Sequence, residues 1–250
     1  MPIHRAEQDK QLLGFISLMA VSFGGIYHYL GLVLKALARE GRLRKQAAMP
    51  VYLGGNGARF INWLDESGAF SKGCDADILM EELQRRSSGF VESRQGAAPT
   101  TLSNAFKDET ACGLISKGVN LQGNFDPRKD LMFSGEELVI NGITFGPLDR
   151  IEIPNNINLL DSYELGGLTE LRKFVSNYDE ALGSAKISSL LPIRKLISLD
   201  SLWDDVATQA QAFAQGEVGK EIGDLEPEPA FVMGLRALIT ILAREWAERF

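Results

Sequence analysis

The chain reads as α/β in its first half, a sheet covered by helices, followed by a β-hairpin and a helical C-terminal region. Three observations predict this. A long apolar helical stretch leads into a short apolar run bounded by Pro50 and Gly54. Asn141-Gly142 stands between two apolar runs. Ala230 to Phe250 repeats apolar residues at helical spacing.

Leu12 to Glu40 reads as one long, mostly apolar helix, with Gly41 as its stop. Pro50 to Leu53 is a short buried strand, and Arg59 to Leu64 begins another helix. From Ser71 the chain turns polar. Ile78, Leu79, Glu82 and Leu83 carry helical spacing within Asp75 to Arg86, and "SSGFVESRQGAAPTT" reads as an exposed loop. In Ser103 to Val119, Asp108 and Glu109 lie at a helix start, where the dipole favours acids. Ala111, Cys112, Gly113 and Leu114 there form a small-residue face that allows close helix packing.

Asn141-Gly142 signals a tight hairpin, because a primed turn needs positive φ at both central positions. "DRIEIP" adds a candidate strand, and from Tyr163 the chain reads as mainly helical. In the last helix Phe231, Leu235, Leu238, Ile239, Leu242 and Trp246 share one face, with "EPEP" at 226–229 before it. Two units follow: residues 1–124, with a polar insertion near 71–100, and residues 125–250.

At 250 residues with 45% hydrophobic content, the chain can bury a substantial core. A net charge of −7 argues against sequence-independent nucleic-acid binding, which needs a basic surface to displace counterions. Cys74 and Cys112 lack metal or disulfide spacing, and His4 and His28 are the two histidines, so no metal site is expected. A reducing, cytoplasmic setting fits. Leu12 to Leu34 contains no Lys, Arg, Asp or Glu, and basic residues follow it. It reads as a core helix, interrupted by Ser17, Ser22, Tyr27, His28 and Tyr29, with a membrane span as the alternative.

The acidic pairs Glu81-Glu82, Glu136-Glu137 and Asp204-Asp205 read as solvated surface, and His28 as a hydrogen-bonded packing residue. The serines show no nucleophile-elbow pattern. The glycine turn after Leu53 is the constellation that points to a ligand. Gly54, Gly55 and Gly57 leave no Cβ in the way of one, and the N–H groups of a following helix start meet phosphate or ribose. The spacing is neither that of a Walker loop nor that of a Rossmann turn.

The order of a long helix, "PVYLGGNGARF", a gap and "KDETACGLISKGV" resembles the C-terminal half of the actin-like ATPase superfamily, which includes actin, MreB and the DnaK-type chaperones. The resemblance covers roughly residues 12–120. It implies a ribonuclease-H-like subdomain that binds ATP or ADP. Gly54, Gly55, Asn56 and Gly57 would lie at adenosine and ribose, and Asp108, Glu109, Ala111 and Gly113 would mark the helix that packs beside them. Arg59, one position later than in the chaperones, would pack on adenine.

The family's other phosphate turns carry aspartates that handle Mg²⁺ and the attacking water. Neither "GCDAD" nor "FDPRKD" matches them. The implied partners are therefore an adenine nucleotide and an N-terminal ATPase half, or a partner protein that supplies it. The alternative is a non-enzymatic interaction scaffold, attached to a membrane in one variant, and a sugar or acetate kinase of the same architecture stays open.

Overall fold

The computed structural model describes residues 2–43, 51–53, 75–89, 100–102, 133–154, 156–185, 187, 190–196, 199–221 and 228–249. Helix α1 (Pro2–Arg39) runs for 38 residues, starting before the predicted boundary. Its stop is the predicted glycine: Gly41 has φ +72°, and the amides of Gly41 and Arg42 bond back to the carbonyls of Ala38 and Leu37. This closes the helix with the double bond of a Schellman cap.

Strand β1 (Val51–Leu53), helix α2 (Asp75–Ser88) and strand β2 (Thr100–Leu102) follow. β1 and β2 pair in parallel, Val51 opposite Thr100 and Leu53 opposite Leu102. Parallel neighbours cannot be joined by a tight turn, and α2 lies in the connection between them.

Beyond residue 132, β3 (Leu138–Ile140) and β4 (Ile143–Phe145) form the predicted hairpin. Asn141 at φ +48° and Gly142 at φ +78° make its turn. The Asn141 side chain fastens the turn further, its Oδ1 accepting the amides of Asp161 and Ser162. "DRIEIP" does not form a strand; its Arg150 makes one isolated bridge to Phe133. Instead β5 (Tyr163–Leu165), in a stretch that reads as helical, completes an antiparallel sheet in the order β4-β3-β5. Helices α3 (Thr169–Ser184), α4 (Ile193–Leu196), α5 (Leu199–Gln215) and α6 (Ala230–Arg249) complete the chain.

The expected α/β, ribonuclease-H-like architecture is overturned. The molecule is mostly helical, and every described strand is three residues long. Strands of that length offer too little surface to cover helices this long, so the apolar faces of the helices meet one another. α1 packs against α2, α3 and α6. A Cβ on Gly24 would meet Leu83, and one on Gly31 would meet Ser87, so α1 and α2 run in the same direction. Gly14 faces Trp246 and Gly25 faces Leu235, so α6 runs the opposite way.

One core joins Ile16, Val21, Tyr27 and Leu32 to Leu79, Leu83, Phe174, Tyr178, Phe231 and Leu238. It draws on residues from both sides of position 124. A second, smaller core seats the antiparallel sheet, through Leu138, Ile140, Phe145 and Tyr163, on Ala214, Ala230 and Met233.

Candidate functional site

Gly54, Gly55, Asn56, Gly57 and Arg59 lie outside the described residues, as do Asp108, Glu109, Ala111 and Gly113. What is described is the strand that ends directly before Gly54. β1 ends at Leu53, directly before Gly54, within the parallel pair. In open α/β sheets ligands gather at the carboxyl ends of the parallel strands; the pair here has two strands.

A second constellation lies at residues 133–137, where five parts of the molecule meet. Tyr29 on α1 donates its hydroxyl to the carbonyl of Phe133 at 2.8 Å. The amides of Ser134 and Gly135 bond to the carbonyls of Asp149 and Pro147, in the turn after β4. The Ser134 carbonyl accepts the amide of Phe231 in the first turn of α6, and the Glu137 carbonyl accepts the amide of Gly166 beyond β5. Gly135 has φ +71°, and a Cβ there would lie 2.6 Å from Phe231 Cβ and 2.9 Å from the Tyr29 ring, so conformation and space both require glycine.

Glu136 is the fifth connection, and it departs most from the reading of the acidic pairs as solvated. Its neighbour Glu137 is exposed, but Glu136 is 0% exposed. Its carboxylate accepts the amide of Glu170 at 3.1 Å and that of Leu171 at 2.5 Å. The residue before α3, Leu168, is left-handed at φ +52° and gives the helix no side-chain cap. Glu136 therefore supplies the cap from 34 residues away in sequence, placing negative charge where the helix dipole favours it. Burial pushes its carboxyl up to about 7, against the pull of the two amides; Glu170 adds to the rise and Lys173 opposes it.

Beside this segment His28 is 1% exposed, stacked on Phe231 with 5.4 Å between ring centroids and edge-on to Phe174 at 5.5 Å. It packs as expected, but neither ring nitrogen has a hydrogen-bond partner. Burial, and secondarily Lys173, lower it to about 3, so it is held neutral. Tyr178, fully buried, also leaves its hydroxyl without a partner, and burial raises it well above the usual phenol range.

Between the end of β5 and α5, a shallow cavity of about 410 Å³ is lined by Leu165, Gly166, Leu168, Ala207, Thr208 and Gln211. Gln211 closes the β5 edge there. Its amide nitrogen donates to the Tyr163 carbonyl at 2.8 Å and its oxygen accepts the Leu165 amide at 2.9 Å. The side chain thus stands in for a neighbouring strand.

Among the described residues no group of three His, Cys, Asp or Glu side chains is placed to hold a metal ion. Sequence reasoning missed Glu136 because "SGEELVI" looks the same whether its first acid faces water or a helix end. The partner amides belong to a different element, and nothing in the local spacing marks them. Compared with family models, with curated proteins and with solved structures, the chain matches none.

Proposed function

We propose that the chain forms one wall of an adenine-nucleotide site at the carboxyl end of β1, the role that the resemblance to actin-like ATPases implies. The observation that supports it is local: β1 ends at Leu53, immediately before the glycine turn, and is paired in parallel with β2. The helical body rules out the ribonuclease-H-like fold that the resemblance implies, so the support is confined to the strand and the residues that follow it. Gly54, Gly55, Asn56 and Gly57 would meet ribose and phosphate, with Arg59 against the base. Hydrolysis would also need Mg²⁺ and a water-directing carboxylate, which the resemblance assigns to the other half of the site.

Photolabelling with an azido-ATP, followed by peptide mapping, tests the assignment. Label is expected in the peptide spanning residues 49–64, competed by ATP and lost in Gly55→Val. Label elsewhere, or equal labelling of Gly55→Val, would refute it.

A second reading, the interaction scaffold, is favoured by the outward side of α1. Leu12, Phe15 and Ile26 are 47%, 50% and 43% exposed. Leu30 and Val33 continue that side at helical spacing, while Met19 and Phe23 between them are partly buried against the core. An apolar stripe of this length exceeds what scattered surface hydrophobics require. In this reading the stripe receives a partner protein, and Ile26→Glu abolishes the association without changing nucleotide labelling.

A further inference from the structure

We propose that Glu136 is a proton-operated latch: its ionised carboxylate holds the first turn of α3 to the 133–137 segment, and protonation releases one of the two backbone amides it caps. The geometry carries this. The carboxylate is fully buried and faces two N–H donors, at 2.5 and 3.1 Å, in a helix that has no cap of its own. The same five-residue segment ties α1, α6, β5 and the turn after β4 together, so a change at Glu136 acts where the small sheet joins the helical body.

An ionised carboxylate accepts with both oxygens. A carboxylic acid keeps one good acceptor and turns the other oxygen into a donor, which the facing N–H cannot use. One added proton therefore removes one cap bond and leaves an amide of α3 unsatisfied. With the carboxyl held near 7, this exchange falls at neutral pH rather than in the acid range of an ordinary glutamate.

Among the described residues, the groups around the latch are few. From α3 come Glu170, which repels the ionised form, and Lys173, which favours it. From α1 come His28 and Tyr29, both kept neutral by burial. α6 offers the apolar Phe231. In the turn after β4, Asp149 is paired with Arg39 and Arg150 with Glu40. The segment's own Glu137 is exposed.

The latch predicts two opposite trends with pH. Locally, the amides of Glu170 and Leu171 gain protection as pH rises through 7. Globally, a folded carboxyl held above its unfolded value binds the extra proton between about 4.5 and about 7, so stability falls as pH rises across that window. A cap whose carboxyl titrates in the ordinary glutamate range would show neither trend between pH 5.5 and 8.5.

Hydrogen exchange measured between pH 5.5 and 8.5, corrected for intrinsic rates, is the test. Protection of the Leu171 or Glu170 amide should rise roughly tenfold across the range in the wild type, the order expected for one backbone hydrogen bond. In Glu136→Gln, whose amide imitates the protonated acid, protection should stay flat at the low-pH level. Protection independent of pH in the wild type, or the same rise in Glu136→Gln, would overturn the latch. Should Glu136→Gln fail to fold, two variants on α3 decide. Glu170→Gln should move the midpoint to lower pH and Lys173→Gln to higher pH, and a midpoint unmoved in both would overturn it.

Discussion

His28 is the side chain whose surroundings differ most from those of a surface histidine. It is stacked on Phe231 and edge-on to Phe174, with both nitrogens unpaired and its imidazole lowered to about 3. A histidine held below its unfolded value leaves the unfolded chain with the extra proton between about 6.5 and about 3. The stability it permits is full above 6.5 and is lost as pH falls toward 3. His28→Leu removes both the orphaned polar atoms and this acid sensitivity. It should stabilise the protein by about 1–3 kcal/mol at pH 7, the range for relieving a buried unsatisfied group. The gain should widen at pH 5, as read from urea midpoints at the two values. Equal stability of wild type and variant at pH 5 would contradict this account.

Glu136 pulls in the opposite direction over part of the same interval, so each slope is seen cleanly only when the other group is replaced. The packing role of His28 is legible from its place in an apolar helix. Its missing hydrogen bond is not, because Phe174 and Phe231 come from helices far along the chain.

Among the elements, those written in local chemistry are legible: α1 with its glycine stop, α2, α6, and the hairpin turned at Asn141-Gly142. β5 is not, since its three residues are held by pairing with β3 and by the Gln211 side chain, both remote in sequence. Packing between elements turns on glycines whose role emerges only when the helices meet. A Cβ on Gly31 would lie 1.8 Å from Ser87 Oγ and 2.6 Å from the Gln84 carbonyl oxygen, so α1 and α2 must part to admit it. Gly31→Ala should cost about 1–3 kcal/mol, the usual penalty of overpacking. At Gly183, in the last turn of α3, an added Cβ would meet nothing within 4 Å. Gly183→Ala should instead stabilise by about 0.5–1 kcal/mol through helix propensity. Thermal melts of the two variants should move in opposite directions, and a fall in both would show that α3 does not hold helical backbone at its end.

For the whole molecule, the expected sheet layer fails because periodicity tells which side of an element is apolar and not what will cover it. The pattern of α1 suits a helix lying on a sheet, whereas its inner side meets α2, α3 and α6. The same distinction bears on whether α1 belongs in a bilayer. Gln11–Arg39 is long and apolar enough to cross one, and by that measure alone a core helix and a membrane helix are indistinguishable. Packing favours the core helix. Ala20, Val21, Tyr27, His28 and Leu32 are at most 2% exposed, and they pack within the core that includes Leu83, Phe174, Tyr178, Phe231 and Leu238. Withdrawing α1 into lipid would strip that core and expose those side chains to water, at roughly 1.5–3 kcal/mol for each large one. The outward stripe of Leu12, Phe15 and Ile26 offers a bilayer far less apolar surface than the core would lose. We therefore expect the expressed chain to be recovered in the supernatant after alkaline carbonate extraction. Leu12→Gln and Ile26→Gln should leave its denaturant midpoint nearly unchanged, while Tyr27→Ala, on the inner side, should lower it by about 3–5 kcal/mol in stability. Retention in the carbonate-resistant pellet, with Ile26→Gln more damaging than Tyr27→Ala, would instead make α1 a membrane helix and the bundle its minor state.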